Sequence, residues 1–545
     1  MTRRPPARPS LSDQATRDVS RRSVLKFASL LGAGAIAAPA LAACAGPKTA
    51  TNPAGTAGAA GAAGGKLSIV LNRNLVSLDN KLNQYDAAVT VQRAVREALT
   101  KIGDDLKPEL VLAQSFEQTK PTVWTVKLRD DIHYSDKSKV TVEDVETALK
   151  MYFQVKAGYV ASQFPEQPAF AKVDDRTFTL TTKRPVVSLN SLMSNILITP
   201  AAANKPEELG TGLGTGPFTI ADANSGTGTY RLVRNPNYWG TAPKLDEVNV
   251  SYQEEEGARV IAITSGQADV IDTITPESAA SLKTKSDIDV IETPGTRLIH
   301  LFYNFRKPAG HPVADPKVRE ALSHAIDHDS LIKALMNGQV TSAEGVVPKT
   351  LAGFAKTGDY TYDPAKAKSM LAEAGATGLK LRFIWEDSEF AGASRVLEAI
   401  SQMLAAVGVT AELKMIPKGG EINAWRRGEA GDWDVLANGY GNQTGLALTN
   451  LQGQYGGTAE KEKTRDTYHG FVVPEITALL DQAAAEADES KRNALLAQAQ
   501  EKIWALWPAM WAWTPNNVLA KRKRVATLNL RPINSYDLGS VAVSG

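Results

Sequence analysis

A single cysteine in 545 residues excludes any disulfide within the chain, so whatever folds must be held by packing alone. Histidine is scarce as well, at six, and no Gly-x-Ser-x-Gly elbow, His-Glu-x-x-His helix or phosphate-loop lysine motif occurs. Those absences leave nucleophilic, zinc and nucleotide chemistry without a visible centre, and the reading is of a protein that is not an enzyme and needs no cofactor. The chain also lacks an excess of either charge, with 61 Lys and Arg against 59 Asp and Glu. Seven of the bases and two of the acids precede residue 44, which leaves 54 against 57, or −3, for the rest. That balance argues against nucleic acid as a partner, and Lys521-Arg522-Lys523-Arg524 reads as a solvated loop.

The lone cysteine, Cys44, stands at an informative place. Arg3, Arg4, Arg8 and Arg17 precede Ser20-Arg21-Arg22-Ser23-Val24-Leu25-Lys26, and Phe27 to Ala43 then run without a charge into Cys44. The order resembles a twin-arginine export signal, carried by Arg21 and Arg22, that ends in the lipobox Leu41-Ala42-Ala43-Cys44. Val24 stands where that pattern has phenylalanine. The uncharged run is broken by Gly32, Gly34 and Pro39 and is shorter than the about 20 residues a membrane span needs. Residues 1–43 are therefore expected to be a cleaved signal, with lipid on Cys44 and residues 44–65, rich in Ala, Gly, Thr and Pro, as a flexible tether. The protein is then extracytoplasmic and anchored to the outer face of the cell membrane.

The folded part starts near Lys66, and its about 480 residues exceed what one hydrophobic core supports, so two or more lobes are expected. Trp124, Val126 and Leu128 alternate with polar residues as in a half-buried strand. Thr141-Val142-Glu143-Asp144 then reads as a capping box for a helix carrying Val145, Ala148, Leu149 and Tyr152. Further helical stripes are Val318, Leu322, Ala325 and Ile326; Val396, Ile400, Met403 and Leu404; and Leu495, Leu496, Ala499 and Ile503. Strands interleaved with helices indicate an α/β protein. His324 and His328 are spaced four apart on a predicted helix with Asp327 between them, a spacing able to hold a metal, but no third ligand is in view and a solvent-facing helix surface is the plainer reading.

Several segments together resemble the family 5 extracellular solute-binding proteins. They are Trp124-Thr125-Val126-Lys127-Leu128-Arg129 followed by Thr141 to Val145; Gly214-Thr215-Gly216-Pro217-Phe218 with Arg234-Asn235-Pro236-Asn237-Tyr238-Trp239; Ser265-Gly266-Gln267-Ala268-Asp269; Val318-Arg319-Glu320-Ala321-Leu322 with Ala325-Ile326-Asp327; and Tyr362-Asp363-Pro364 with Glu373-Ala374-Gly375. Most of these residues have structural explanations. Gly214 and Gly216 are expected to supply backbone conformations closed to other residues, Pro217 to fix the entry to a strand, and Asp269 and Asp327 to cap or pair locally.

The resemblance implies a two-lobed periplasmic-binding-protein fold of the class II type with an extra small domain. Lobe I is expected over 66–110, 195–300 and 511–545, the inserted domain over 111–194 and lobe II over 301–510, with ligand enclosed as the lobes close. Partners are then a small-molecule or peptide ligand and separate ABC permease and ATPase subunits, the receptor itself being a monomer. In peptide-binding relatives an aspartate shortly after a Gly-aromatic pair holds the ligand's amine. The matching stretch, Asn438-Gly439-Tyr440-Gly441-Asn442-Gln443, puts Gln443 or Asn442 there, so that either another acid such as Glu386 takes over or the ligand is not a free-amine peptide. Glu386 and Glu389 are a carboxylate pair close in sequence. Ligand candidates are thus Tyr85, Trp385, Glu386, Tyr440, Gly441, Asn442, Gln443 and Trp513, with Trp385 leaving the end of a strand over 379–384. Trp504 and Trp507 continue a helical stripe and read as core. A peptide is the first ligand class and an oligosaccharide the second; a sensing receptor without import has the same sequence features, and a secreted hydrolase lacks its catalytic groups.

Overall fold

Pro515 sits inside a strand of 14 residues, Ala509–Arg522. Proline cannot donate to a β-ladder and marks an interruption in a central strand. Here the interruption is a change of partners. Up to Pro515 the strand pairs antiparallel with Leu298–Tyr303 and Val340–Ser342; from Asn516 it pairs with Ile288–Pro294 and then Val270–Asp272. The computed structural model describes residues 64–75, 79, 81, 86–155, 159–202, 212–387, 389–390, 392–417 and 421–544. The export segment with Arg21 and Arg22, Cys44, nearly all of the tether, and Tyr85 lie outside the described residues.

Among the described residues these strands belong to one sheet of twelve. Val435–Tyr440, Lys380–Glu386 and Thr410–Ile416 extend it on one side, and Lys66–Leu71, Glu247–Tyr252, Thr229–Arg234 and Phe218–Asn224 on the other. Lys380–Glu386 is parallel to both of its neighbours, and parallel pairing needs crossovers. Helix Ala393–Ala406 supplies one and buries Val396, Ile400 and Leu404 on its inner face, as their spacing predicts. A separate sheet of four contains Val123–Leu128, whose Trp124, Val126 and Leu128 point inward, and helix Val142–Gln154 carries the expected Thr141/Asp144 capping box.

The apolar residues gather in distinct cores. One includes Leu301, Phe383 and Trp511, another Leu67, Val248 and Leu519, and a third lies at the four-stranded sheet. The chain crosses between the first two at Pro294 to Leu298 and again at Thr514 to Asn516, so the divisions expected at 300/301 and 510/511 fall inside strands that continue past them. The two crossings touch: Gly295 N donates to Pro515 O at 3.3 Å, and a Cβ at Gly295 would lie 2.7 Å from that oxygen. Only glycine lets them run this close.

Four expectations are corrected. Gly214 and Gly216 do not take left-handed backbone; a Cβ on either would press into the carbonyls of Val95 and Ala94, so close approach is what they provide. With them, Asn235 Nδ2 donates to Gly216 O at 2.9 Å, and Tyr238 Oη and Trp239 Nε1 donate to the carboxylate of Glu97 at 2.8 and 2.9 Å. The two motifs thus clamp the end of helix Asp86–Val95. His324 and His328 are buried and on different helices, because Asp327 caps a second helix, His328–Leu335, after Pro316–His324 has ended. Of the basic run only Lys523 and Arg524 form an exposed turn; Lys521 and Arg522 end the long strand, and Lys521, Arg522 and Arg524 pair with Asp289, Asp287 and Asp269 at 3.1, 3.3 and 2.6 Å. Trp504 is half-buried and packs against the core of Leu496 and Ile503, as expected, but Trp507 lies beyond the helix end at Ala505 and, half-buried, packs on Trp504 and Tyr360 and does not continue the stripe.

Burial acts on the titratable groups in opposite directions. It pushes His300 and His328 down to about 3 and His469 well below the ordinary imidazole value, so each stays neutral while its unfolded counterpart charges below about pH 6.5. Acid therefore weakens the fold through them. Burial also pushes Glu97 up to about 7, against the hydrogen bonds from Trp239 and Tyr238, so its contribution is lost as pH rises through 7 and regained on acidification. Thermal melts between pH 7.5 and 5 are expected to show a shallower acid-induced fall in Tm for His300→Gln than for the wild type, and a steeper one for Glu97→Gln. Identical slopes in the three proteins would contradict the assignment.

Candidate functional site

Where the chain crosses between cores, the backbone leaves an open space. It is a cavity of about 490 Å³ walled by both crossings, through Thr296, Arg297, Trp513, Pro515, Asn516 and Asn517. Strand ends and loops complete it: Asn72 and Arg73 follow strand Lys66–Leu71, Asp272 and Thr273 close Val270–Asp272, and Gly439, Gly441, Asn442 and Gln443 come from the end of Val435–Tyr440 and the loop beyond. Residues from both halves of the twelve-stranded sheet therefore converge at the joint between them.

Four charges line this cavity. Arg73 and Arg297 are cationic, and Asp272 and Glu389 anionic. Asp272 is oriented by Asn72 N, which donates to Oδ1 at 2.7 Å. Glu389 receives the Arg297 guanidinium and Gly439 N, the latter at 2.7 Å, and both bonds fall on Oε1. Its side chain is 10% exposed against 44% for Arg297. Burial pushes the Glu389 carboxyl up; Arg297 and the Gly439 amide act against this, and nearby Glu386 adds to it. Gly439 is also a spatial requirement, since a Cβ there would collide with Arg297 Nε and lie 2.6 Å from Ile299 Cδ1. The apolar wall includes Ile274, Ile299, Leu335, Val340, Phe390 and Ile533, with Phe390 set edge-on to Trp513 at 5.0 Å between ring centroids.

Of the sequence candidates, Gly441, Asn442, Gln443 and Trp513 line the cavity, while Trp385, Glu386 and Tyr440 do not. Trp385 was expected on a loop; it lies inside strand Lys380–Glu386, 4% exposed in the core with Val396 and Trp511. Glu386 is half-buried at the end of the same strand. Tyr440 turns toward Tyr468, their rings 5.3 Å apart, and its hydroxyl meets Gly453. Trp513 is 1% exposed and offers the cavity little ring surface. Asn442 is on the wall, but its side chain is taken up internally: Oδ1 accepts from Thr444 N and Gly445 N, both at 2.8 Å, and Nδ2 donates to Leu446 O at 2.8 Å and to Asn450 Oδ1. The four charged wall residues and Phe390 were missed as cleft residues.

Residues 107–462 match the family model described as bacterial extracellular solute-binding proteins, family 5 middle. The glutathione-binding protein GsiB of Pectobacterium atrosepticum is 27% identical over 469 residues, which cover 83% of this chain and 90% of that protein. Among solved structures, HbpA2 from Haemophilus parasuis has a TM-score of 0.76 at 23% identity, covering 88% of this chain and all of its own. A dipeptide-binding protein from Pseudoalteromonas sp. SM9913, in complex with Met-Leu, has the same TM-score at 19% identity, again over 88% of this chain and 100% of that one. These likenesses give the fold as the two-lobed periplasmic-binding-protein type.

Asn442→Ala removes acceptors and donors from a buried turn without replacing them. It is expected to lower unfolding free energy by about 3 kcal/mol, since buried groups left unpaired cost about 1–3 kcal/mol each. Gln443→Ala, at a half-buried position on the same loop, is expected to change it by less than about 1 kcal/mol. Guanidinium unfolding of both variants distinguishes a structural Asn442 from a ligand-binding one.

Proposed function

Because the chain belongs to the bacterial extracellular solute-binding proteins of family 5, which serve transport rather than catalysis, we propose that it captures short free peptides and delivers them to an ABC permease. The observation that carries this reading is the pairing of signs in one cavity: Arg73 and Arg297 for a carboxylate, Asp272 and Glu389 for an ammonium group. A peptide brings both charges, whereas an oligosaccharide brings neither. Sugar recognition commonly relies on exposed aromatic faces, and the wall offers a half-buried Phe390 and a Trp513 that is nearly closed off. A volume of about 490 Å³ falls within the about 300–1,000 Å³ of small-ligand pockets and suits a di- or tripeptide. The names of the relatives, one binding glutathione and one solved with Met-Leu, point the same way.

Delivery requires the receptor to stay near its permease. The twin arginines Arg21 and Arg22 and the lipobox cysteine Cys44 are read as providing this, by export followed by a lipid tether on the outer face of the membrane. The soluble part acts as a monomer, with permease and ATPase as separate subunits.

Isothermal titration with Met-Leu, reduced glutathione, N-acetyl-Met-Leu and maltotriose tests the ligand class, preceded by native mass spectrometry of the purified protein to identify any ligand it retains. Free peptides are expected to bind and the acetylated one to lose at least tenfold. Glu389→Gln is expected to weaken peptide binding by about 30-fold or more, the scale of losing one partner of a buried charged contact. Binding of maltotriose with no response to peptides would move the assignment to oligosaccharides.

A further inference from the structure

The segment Arg531 to Tyr536 is a wall with two faces. Pro532, Ile533 and Asn534 line the cleft, while Arg531, Ser535 and Tyr536 line a second cavity, of about 610 Å³. Its other walls come from helix Asp86–Val95, which contributes Arg93, and from the clamp formed by Glu97, Tyr238 and Trp239. No step of ligand capture in the cleft uses this space.

Its polar atoms are what single it out. Arg93 Nη1, Ser535 Oγ and Tyr536 Oη are all buried, and none has a hydrogen-bond partner among the described residues. Buried donors are nearly always satisfied, and three left unmet in residues that line one cavity call for an acceptor; because the atoms themselves are closed to water, these side chains must turn outward to meet it. The Arg93 guanidinium is fixed from one side, where Nη2 donates to Ser194 O at 3.2 Å and Asn195 Oδ1 at 3.1 Å. Arg531 stands close enough to repel it: Arg93 is lowered to about 10, first by burial and next by Arg531. The counter-charge of Arg531, Asp104, is 2.9 Å from its Nε and 62% exposed, outside the cavity wall. The wall also carries two acids: Glu97 has its carboxylate oxygens engaged by Tyr238 and Trp239, and Asp537 Oδ1 accepts from Gly539 N at 2.9 Å.

We propose that this cavity is a second ligand site, taking a compact oxyanion, carboxylate or phosphate, on the donors of Arg93, Arg531, Ser535 and Tyr536. An oxyanion presents several acceptors at once and supplies a counter-charge to Arg93, whose printed hydrogen bonds go to neutral oxygens, which neither an apolar ligand nor a cation does. The site stands independently of what the cleft binds.

Thermal shift and calorimetry of the purified chain with sodium phosphate and with sodium succinate, at ionic strength matched by sodium chloride, test it. A saturable rise in Tm of about 3 °C at a hundredfold excess over Kd is expected with at least one of the two salts. Arg93→Met and Arg531→Gln are each expected to weaken it at least tenfold, while the cleft variant Glu389→Gln leaves it unchanged. Arg531→Gln and Ser535→Ala carry the test if Arg93→Met does not fold. A response no larger than that of chloride, or one that survives both arginine substitutions, would overturn the proposal and leave a water-filled cavity. A response lost in Glu389→Gln would place the anion in the cleft and overturn it equally.

Discussion

A strand that serves two cores must change partners without ending, and the exchange at Pro515 is what the rest of the molecule is arranged around. Before it the strand Ala509–Arg522 is held by Leu298–Tyr303, after it by Ile288–Pro294, and these two partners are themselves consecutive segments joined through Gly295. Two backbone crossings then lie side by side, with Gly295 N donating to Pro515 O and no side chain on Gly295 to wedge them apart. Strand ends and loops from both halves also face each other there, which is why a cavity forms at the joint.

The motifs by which the sequence resembles its family build this frame and do not line the cavity. Gly-Thr-Gly-Pro-Phe and Asn-Pro-Asn-Tyr-Trp close around the end of helix Asp86–Val95 and give Glu97 its partners. Asp269 anchors Arg524 and accepts from Ser68 N at 2.9 Å, tying the end of the long strand to the first one. Arg319 is 3% exposed and donates to the carbonyls of Val313, Ala314 and Leu506, joining its helix to the approach of the long strand. A resemblance carried by such residues transmits architecture with little information on ligand.

That division explains what was legible in the sequence. Periodicity found the helix with Val396 and Ile400 and the strand with Trp124 and Val126 because each buries one face of one element, a local property. It failed at His324 and His328, where spacing alone is blind to a cap: Asp327 starts a new helix and turns both rings inward. The cleft was half legible for a related reason. The loop Gly441 to Gln443, expected to bind ligand, lies on the cavity wall, but an asparagine in a turn can satisfy the backbone around it, and Asn442 is occupied in that way. Trp385 was drawn to the ligand by its chemistry, whereas the strand runs two residues further than expected and carries it into the core. Of the two acids that line the cavity, Glu389 lies three residues beyond the one singled out and is held by Arg297, 92 residues earlier, a distance no local pattern spans.

On the peptide reading, the internal pair of Arg297 and Glu389 sets what the cleft accepts. Both bonds to Glu389 land on one oxygen, so the carboxylate is held in place while its other oxygen remains to meet a cation. Arg297 is nearly half exposed, so its guanidinium is within reach of an anion in the cavity. Closing the lobes around a neutral ligand would strip water from this pair and from Arg73 and Asp272 without returning anything, and desolvation of charges is costly unless new partners replace the lost water. A zwitterion returns a partner to each sign. The discrimination therefore comes less from attraction, which water screens well in the open state, than from the penalty the closed cleft imposes on ligands that leave its charges unmet. Selectivity of this kind is indifferent to side chains, and the largely apolar remainder of the wall, with Ile274, Leu335, Phe390 and Ile533, is consistent with a receptor that reads the termini of a peptide and tolerates what lies between them.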